Sequence, residues 1–305
     1  MGRKLQKLHS VGRDQGMMAA IGAVSRFVFR PRFWLARSAV IPLSRKFPAW
    51  DALSSRRVHG STMYLNPFDN GISRFLHLHG TYEPLATALM KEIIRPGMTV
   101  IEIGANIGYY ALLQARWVGA TGRVIAIEPE PGNFGLLVRN VSVNGYTNVS
   151  TVNAAIARRS GNATLWLHNS FERHSLIEGS ESNASIEVPA WSLDDLVSDE
   201  ARVDVVKMDI EGYECEAIYG MVQTMKKHKP VFIVEIHPIE AGRRRIVQFL
   251  QFMSDNGYKS RYVSCRDRDY VDVAKPHDVE EITTGDLMVR ILSEYGRSYH
   301  VVFVH

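Results

Sequence analysis

The chain has 305 residues, 46% of them hydrophobic, and carries a formal charge of +4 from 36 Lys and Arg against 32 Asp and Glu. That composition suits one large α/β domain plus an extension, and no run of about 18 apolar residues predicts a membrane-spanning helix. Two cysteines, Cys215 and Cys265, exclude a disulfide framework and a cysteine zinc site, as expected in a reducing compartment.

The charge is uneven. Residues 1–59 hold 12 basic residues and only Asp14 and Asp51, whereas the remainder holds 24 basic and 30 acidic ones. The larger part is mildly acidic and does not read as a nucleic-acid groove. Residues 1–58 form a separate basic and aromatic extension. From Met17 to Trp50 it mixes Phe27, Phe29, Phe33, Trp34 and Leu35 with Arg26, Arg30, Arg32 and Arg37. Three readings stand for residues 17–50: peripheral contact with an anionic membrane, an arm packed on the catalytic domain, or an organellar transit segment. Arg26 and Arg30 interrupt any secretory apolar core, and Gln6 breaks the myristoylation pattern. A cytoplasmic location, peripheral to the membrane, is the expectation.

Residues 59–305 read as alternating strands and helices. A short strand is predicted within 60–68, and a helix from Glu83 to Ile94 that ends at Arg95-Pro96-Gly97. Thr99 to Ile103 reads as a strand covered on both faces. A glycine turn follows, then a helix from about Ile107. Arg123 to Glu128 is the second strand of this series, Asn133 to Asn144 a helix, and Val149 to Ala154 the third strand. Ala163–Leu167 and Ser185–Pro189 alternate like a hairpin. The loop between them, 169–183, offers Arg173 and His174 as substrate contacts. Val203 to Asp209 is the fourth strand, with a helix opening at Glu211-Gly212 and running through Met225. Val231 to Ile236 is the fifth, followed by a helix over Arg243 to Asn256 and strands near Ser260–Ser264 and His300–Val304.

The turn Gly104-Ala105-Asn106-Ile107-Gly108-Tyr109 narrows the ligand. No Lys-Ser or Lys-Thr follows the glycines, so it is not a P-loop. A dinucleotide turn needs small residues where Asn106 and Tyr109 stand, so a pyrophosphate fits poorly. S-adenosylmethionine has no phosphate and asks less of the turn. Glu128 closes the next strand, where a carboxylate is placed to accept both ribose hydroxyls.

The stretch Ile101-Glu102-Ile103-Gly104-Ala105-Asn106-Ile107-Gly108-Tyr109 resembles the signature of the FkbM-type methyltransferases. Gly80-Thr81-Tyr82-Glu83, Ser192-Leu193-Asp194-Asp195-Leu196, Val206-Lys207-Met208-Asp209-Ile210-Glu211-Gly212 and Glu235 follow the family's order. The resemblance covers about residues 60–260. It implies a class I methyltransferase fold: a Rossmann-like, mostly parallel sheet of seven strands with helices on both faces. It also implies methyl transfer from S-adenosylmethionine to hydroxyls of sugars or other small metabolites. Cofactor contacts are then expected from Glu83, Glu102, Gly104, Ala105, Asn106, Gly108, Tyr109, Glu128, Asn153, Ala154 and Asp209. Asn153 is placed for the adenine base, with alanines over its face, and Tyr82 and Glu83 for the methionine end. Glu102 stands where Asp is commoner in the family.

Lys207 lies in an apolar strand and needs a partner, for which Glu102 and Glu235 are the natural counter-charges. Ligands bind beyond the carboxyl ends of such strands, which gathers Asp209, Glu211 and His237 at the acceptor end. An alcohol needs a general base. His237 is the expected base from its ordinary pKa near 6.5, with Asp209 and Glu211 positioning the acceptor. Asp209 and Glu211 are also residues that can carry Mg²⁺, but the Asp-Asn pair of the catechol type is not evident after the fifth strand, and no metal is assigned. Two other functions stay open: methylation of a protein or RNA recruited by the basic arm, and a non-catalytic membrane-associated protein that keeps the cofactor fold.

Overall fold

The computed structural model describes residues 53–168, 174–178, 184–269 and 278–305. The expected membrane contact of residues 17–50, and Arg173, lie outside them. Among the described residues, no helix is long and apolar enough to cross a membrane.

The strands, in chain order, are β1 (Ser54–Val58), β2 (Ser61–Leu65), β3 (Thr99–Ile103), β4 (Arg123–Ile127), β5 (Val149–Val152), β6 (Ala155–Ile156), β7 (Gly161–Leu167), β8 (Ala184–Trp191), β9 (Val205–Met208), β10 (Val231–Ile236), β11 (Lys259–Cys265), β12 (Val279–Glu281) and β13 (Tyr299–Val304). The main sheet runs β12-β11-β13-β10-β9-β3-β4-β5. Pairings from β10 to β5 are parallel, while β13 lies antiparallel between β10 and β11. The α/β class and its mostly parallel sheet are as expected, but the sheet has eight strands rather than seven. The addition is β12, a Val-Glu-Glu run pairing with β11 at the edge, too short and too charged to announce itself as a strand.

Period-two alternation sorts the sheet into two apolar faces. Val100, Val124, Ala126, Val205 and Ile233 face the helices Pro84–Ile93, Tyr109–Val118 and Pro131–Val143. Ile101, Ile103, Ile125, Val206, Met208 and Phe232 face the helix Arg243–Asp255 and the helix Thr284–Ser293. Glu102 and Lys207 fall on the first face and stand directly opposite each other across β3 and β9. On the same face Glu235 stands opposite His300 across β10 and β13.

β1 and β2 pair as a hairpin, so the folded domain reaches back to Ser54, across the 58/59 boundary read from composition. Its second strand, β2, docks through two asparagines one turn apart on the helix Pro131–Val143 and its C-cap. Asn140 accepts from the Tyr64 amide at 2.7 Å, and Asn144 accepts from the Thr62 amide at 2.8 Å. Each returns an amide N–H to the same residue's carbonyl, so the two side chains satisfy the strand edge as a neighbouring strand would.

The helix expected from Glu211 to Met225 is broken. Glu211 and Gly212 both have left-handed backbone, φ 53° and 94°, which no helix continues. Helical turns begin at Glu214, pass through a 3₁₀ segment Ile218–Gly220, and resume as Val222–His228.

Candidate active site

A cavity of about 390 Å³ opens at the carboxyl ends of β3, β4, β9 and β10. The chain leaves β3 toward β4 on one side and reaches β9 on the other, the switch point at which open α/β sheets bind ligands. Toward β4 and β5 its walls are Glu128, Pro129, Asn133, Ala154, Ala155 and Ile156. Toward β9 and β10 they are Lys207, Asp209, Glu211, Glu235, His237 and Arg266. Gly104, Ala105 and Asn106 form the floor between. His174 and Leu176 approach from a segment tied down by Ser175, whose hydroxyl donates to the Glu211 carbonyl at 2.8 Å.

Glu128 faces the cavity but is 5% exposed. One carboxylate oxygen accepts from the Asn106 amide at 2.9 Å and the other from the Glu130 amide at 3.0 Å. Each oxygen keeps a second lone pair, so a diol can still be bound. Burial pushes its pKa to about 7, against the pull of those two amides.

The glycines serve a different purpose from the one the sequence suggests. At Gly104, φ is 80° and a Cβ would stand 1.9 Å from the Asp209 carbonyl oxygen. At Gly108, φ is 96° and a Cβ would meet the Leu137 side chain at 2.9 Å. Both are required by the protein's own packing, and Gly108 does not line the cavity.

Of the other expected cofactor contacts, Ala105, Asn106, Tyr109, Glu128, Ala154 and Asp209 line the cavity, whereas Glu83, Glu102 and Asn153 do not. Asn153 spends its amide on the carbonyls of Glu128 (2.8 Å) and Pro129 (3.1 Å), and so shapes the turn rather than reading a base. Glu102 is fully buried, 3.1 Å from the Lys207 ammonium, and accepts from Gln114. Burial raises its pKa to about 6 even with Lys207 beside it. Burial opposes the Lys207 ammonium too, but Glu102 and Asp209 outweigh it and hold Lys207 charged. Its second partner is Asp209, at 3.4 Å, and not the expected Glu235. Glu83 sits beneath the cavity, accepting from the Tyr110 hydroxyl at 2.7 Å and pairing with Arg266 at 2.9 Å and His300 at 3.3 Å. Burial pushes its carboxyl up, but Arg266 and His300 bring it below the ordinary value.

Asp209, Glu211 and His237 do meet. The His237 Nε2 atom lies 3.8 Å from Asp209 Oδ1, 3.7 Å from Glu211 Oε2 and 3.4 Å from Glu235 Oε1, with Glu214 on Nδ1 at 3.1 Å. Burial disfavours the charged ring, but Glu211, Glu235 and Glu214 outweigh it and hold His237 protonated, far above its ordinary range. A ring kept as imidazolium is not a resting base, so the role expected for His237 passes to the carboxylates. Burial pushes Glu211 to about 8 and raises Asp209. Two groups have metal-ligand composition: Asp209, Glu211 and His237 at the mouth, and Glu83, Glu235 and His300 beneath it. The second already encloses the Arg266 guanidinium.

Arg266 is the residue that sequence reasoning missed. It follows β11, and its charge rests on Glu83 and, at 3.6 Å, on Glu235, while it also donates to the Tyr82 hydroxyl. Three residues on, Asp269 accepts from the amides of Leu85 (2.6 Å) and Ala86 (2.9 Å), pinning the helix that carries Glu83. Nothing in the local pattern Cys265-Arg266-Asp267 marks this.

A sequence model of the methyltransferase FkbM domain matches residues 102–260, just over half of the chain. The chain belongs to the FkbM methyltransferases. Protein-L-isoaspartate O-methyltransferase 1 of Archaeoglobus fulgidus is 38% identical over 71 residues, 23% of this chain and 33% of that protein. The chain thus spans about a third of the length of that relative. Among solved structures, methyltransferase FkbM of Methylobacillus flagellatus KT is similar at a TM-score of 0.41 and 15% identity, over 71% of this chain and 53% of that one. M. jannaschii TYW2 in complex with AdoMet is similar at 0.44 and 17%, over 86% and 87%.

S-adenosylmethionine is the cofactor of this FkbM enzyme, and the residues fit it. The cavity lies in the size range of small-molecule sites, roughly 300–1,000 Å³. Glu128 offers lone pairs for a ribose, and Ala154, Ala155 and Ile156 give an apolar seat beside it. The ionised form of Glu128 accepts hydrogen bonds from two hydroxyls, and a pKa of about 7 means that this form is lost as pH falls. Cofactor affinity in calorimetry is therefore expected to rise roughly tenfold from pH 6 to pH 8 and then level, with Glu128→Gln removing that step. A wild-type affinity that is flat over this range would contradict the assignment.

Proposed function

We propose that this FkbM methyltransferase methylates a hydroxyl of a neutral sugar, glycolipid or other small polyhydroxylated metabolite. The reading is carried by the acidity of the acceptor end. Asp209, Glu211, Glu235, Glu240 and Asp267 all line it. The three cations there are committed, Lys207 to Glu102 and Asp209, Arg266 to Glu83 and Glu235, and the His237 imidazolium to Glu211, Glu214 and Glu235. A phosphodiester or a carboxylate acceptor would meet like charge, whereas a polyol donates hydrogen bonds to carboxylates.

S-adenosylmethionine supplies a methyl group on a sulfonium, whose sulfur leaves as a neutral thioether. The acceptor oxygen forms its C–O bond as the C–S bond breaks, the pair passing to sulfur, and its proton goes to Glu211 in the ionised form, which burial withholds until pH nears 8, so turnover rises with pH through that value. The fixed floor at Gly104–Asn106 and the paired carboxylates align the acceptor, and alignment of this kind contributes as much as ~7–11 kcal/mol in favourable cases. Glu211→Gln is expected to lower kcat by roughly 10²–10⁴ while leaving cofactor affinity within a few fold, measured by turnover and calorimetry.

The deciding experiment supplies methyl-labelled cofactor with neutral glycans, glycolipids, isoaspartyl peptide and transfer RNA. Label is expected in the glycan or glycolipid fraction as an ether that survives mild alkali. Label released by alkali, or found in RNA, would overturn the reading.

A further inference from the structure

We propose that Asp209, Glu211 and His237 bind one divalent cation of the Mg²⁺ or Mn²⁺ class. Its use in catalysis rests on the alcohol-methylation reading above, but the site stands on geometry alone. The three residues each offer one ligand atom, and these atoms lie within 4.8 Å of one another. His237 Nε2 is 3.8 Å from Asp209 Oδ1 and 3.7 Å from Glu211 Oε2. Direct hydrogen bonds would bring these atoms to about 2.7–3.2 Å. Ligands that each stand about 2.0–2.2 Å from a shared ion are spaced roughly 3–4 Å apart, which is the spacing seen.

A second observation comes from behind the ring. Glu214 is 1% exposed, and its Oε1 takes the His237 Nδ1 at 3.1 Å as well as the Ile210 amide at 2.9 Å. A carboxylate on the far nitrogen fixes the ring and turns the other nitrogen toward an ion. Glu214 Oε2 is buried without a hydrogen-bond partner. Lys207 reaches only the far oxygen of Asp209, Oδ2, leaving Oδ1 toward the ring.

The ion takes the place of the proton on His237 Nε2, and two carboxylate oxygens with one neutral imidazole then suit a hard cation that keeps its remaining positions for water or substrate. Those positions face the cavity, where a vicinal diol of the acceptor would chelate the ion. Glu211 would bind through Oε2 and keep Oε1 for the proton.

The test is Mn²⁺ titration of the full chain, followed by the loss of the free-ion electron paramagnetic resonance signal, with no acceptor present. One ion per chain is expected, displaced by excess Mg²⁺. Asp209→Asn, Glu211→Gln and His237→Gln are each expected to weaken it at least tenfold, with folding checked by circular dichroism, so any one folded variant suffices. No binding at millimolar Mn²⁺, or binding untouched by a folded variant, overturns the proposal. A chain that binds Mn²⁺ but methylates no glycan overturns the acceptor reading and leaves the metal site standing.

Discussion

Gly104→Ala is expected to destabilise the ligand-free protein by several kcal/mol and to abolish cofactor binding with it. The backbone at Gly104 has φ 80°, where a side chain costs about 1–3 kcal/mol. The added Cβ would also stand 1.9 Å from the Asp209 carbonyl oxygen, and a backbone atom cannot swing aside. Overpacking of this kind adds about 1–3 kcal/mol. For a domain of this size each kcal/mol lowers Tm by about 2–4 °C, so a fall of roughly 10 °C is expected in thermal unfolding without cofactor. Gly108→Ala should cost less, because its obstacle is the end of the Leu137 side chain, which can turn. If Gly104→Ala kept its Tm and lost only the cofactor, the glycine would be serving the ligand and not the contact between the β3 and β9 ends.

Lys207→Met is expected to cost about 3–5 kcal/mol in urea unfolding, because it leaves Glu102 buried without its cation. Glu102 is 0% exposed, and Gln114 would then be its remaining partner. Glu102→Gln alone should cost less. It leaves the ammonium 3.4 Å from Asp209 and 5.0 Å from the centre of the Tyr110 ring. The double variant Glu102→Gln/Lys207→Met should therefore regain much of the loss, since neither end of the β3–β9 rung then holds an unpaired charge. Equal and additive losses in the two single variants would mean that the pair is not coupled. The same exchange should lower cofactor affinity modestly, because Asp209 loses the cation that holds its Oδ2 away from the ring of His237.

The local pattern carried much of the fold. Apolar runs closed by glycine or an acid placed β3, β4, β9 and β10 within a residue or two, and alternation gave the β7–β8 hairpin, whose register, Leu165 opposite Ile186, comes from the structure. Local pattern failed where backbone geometry overrides propensity. The left-handed pair Glu211-Gly212 delays the helix to Glu214, and that delay is what brings Glu211 into the cavity. It failed also at β12, where three residues carry too little periodicity to read.

The sequence alone determined the class of fold, the glycine turn, and the spacing from that turn to Glu128, because each is written in contiguous residues whose periodicity or chemistry is local. Beyond the Lys207–Glu102 pair, which was expected, tertiary structure alone decided which charges meet. Lys207 takes Asp209 as its second partner where Glu235 was expected, Glu235 takes His300, and Arg266 reaches Glu83 from the far side of the chain. Cross-strand register and strand order set those meetings, and neither is encoded within any one strand. The carboxylate cluster that holds His237 as imidazolium against its burial has the same origin, for it is brought together from two strand ends.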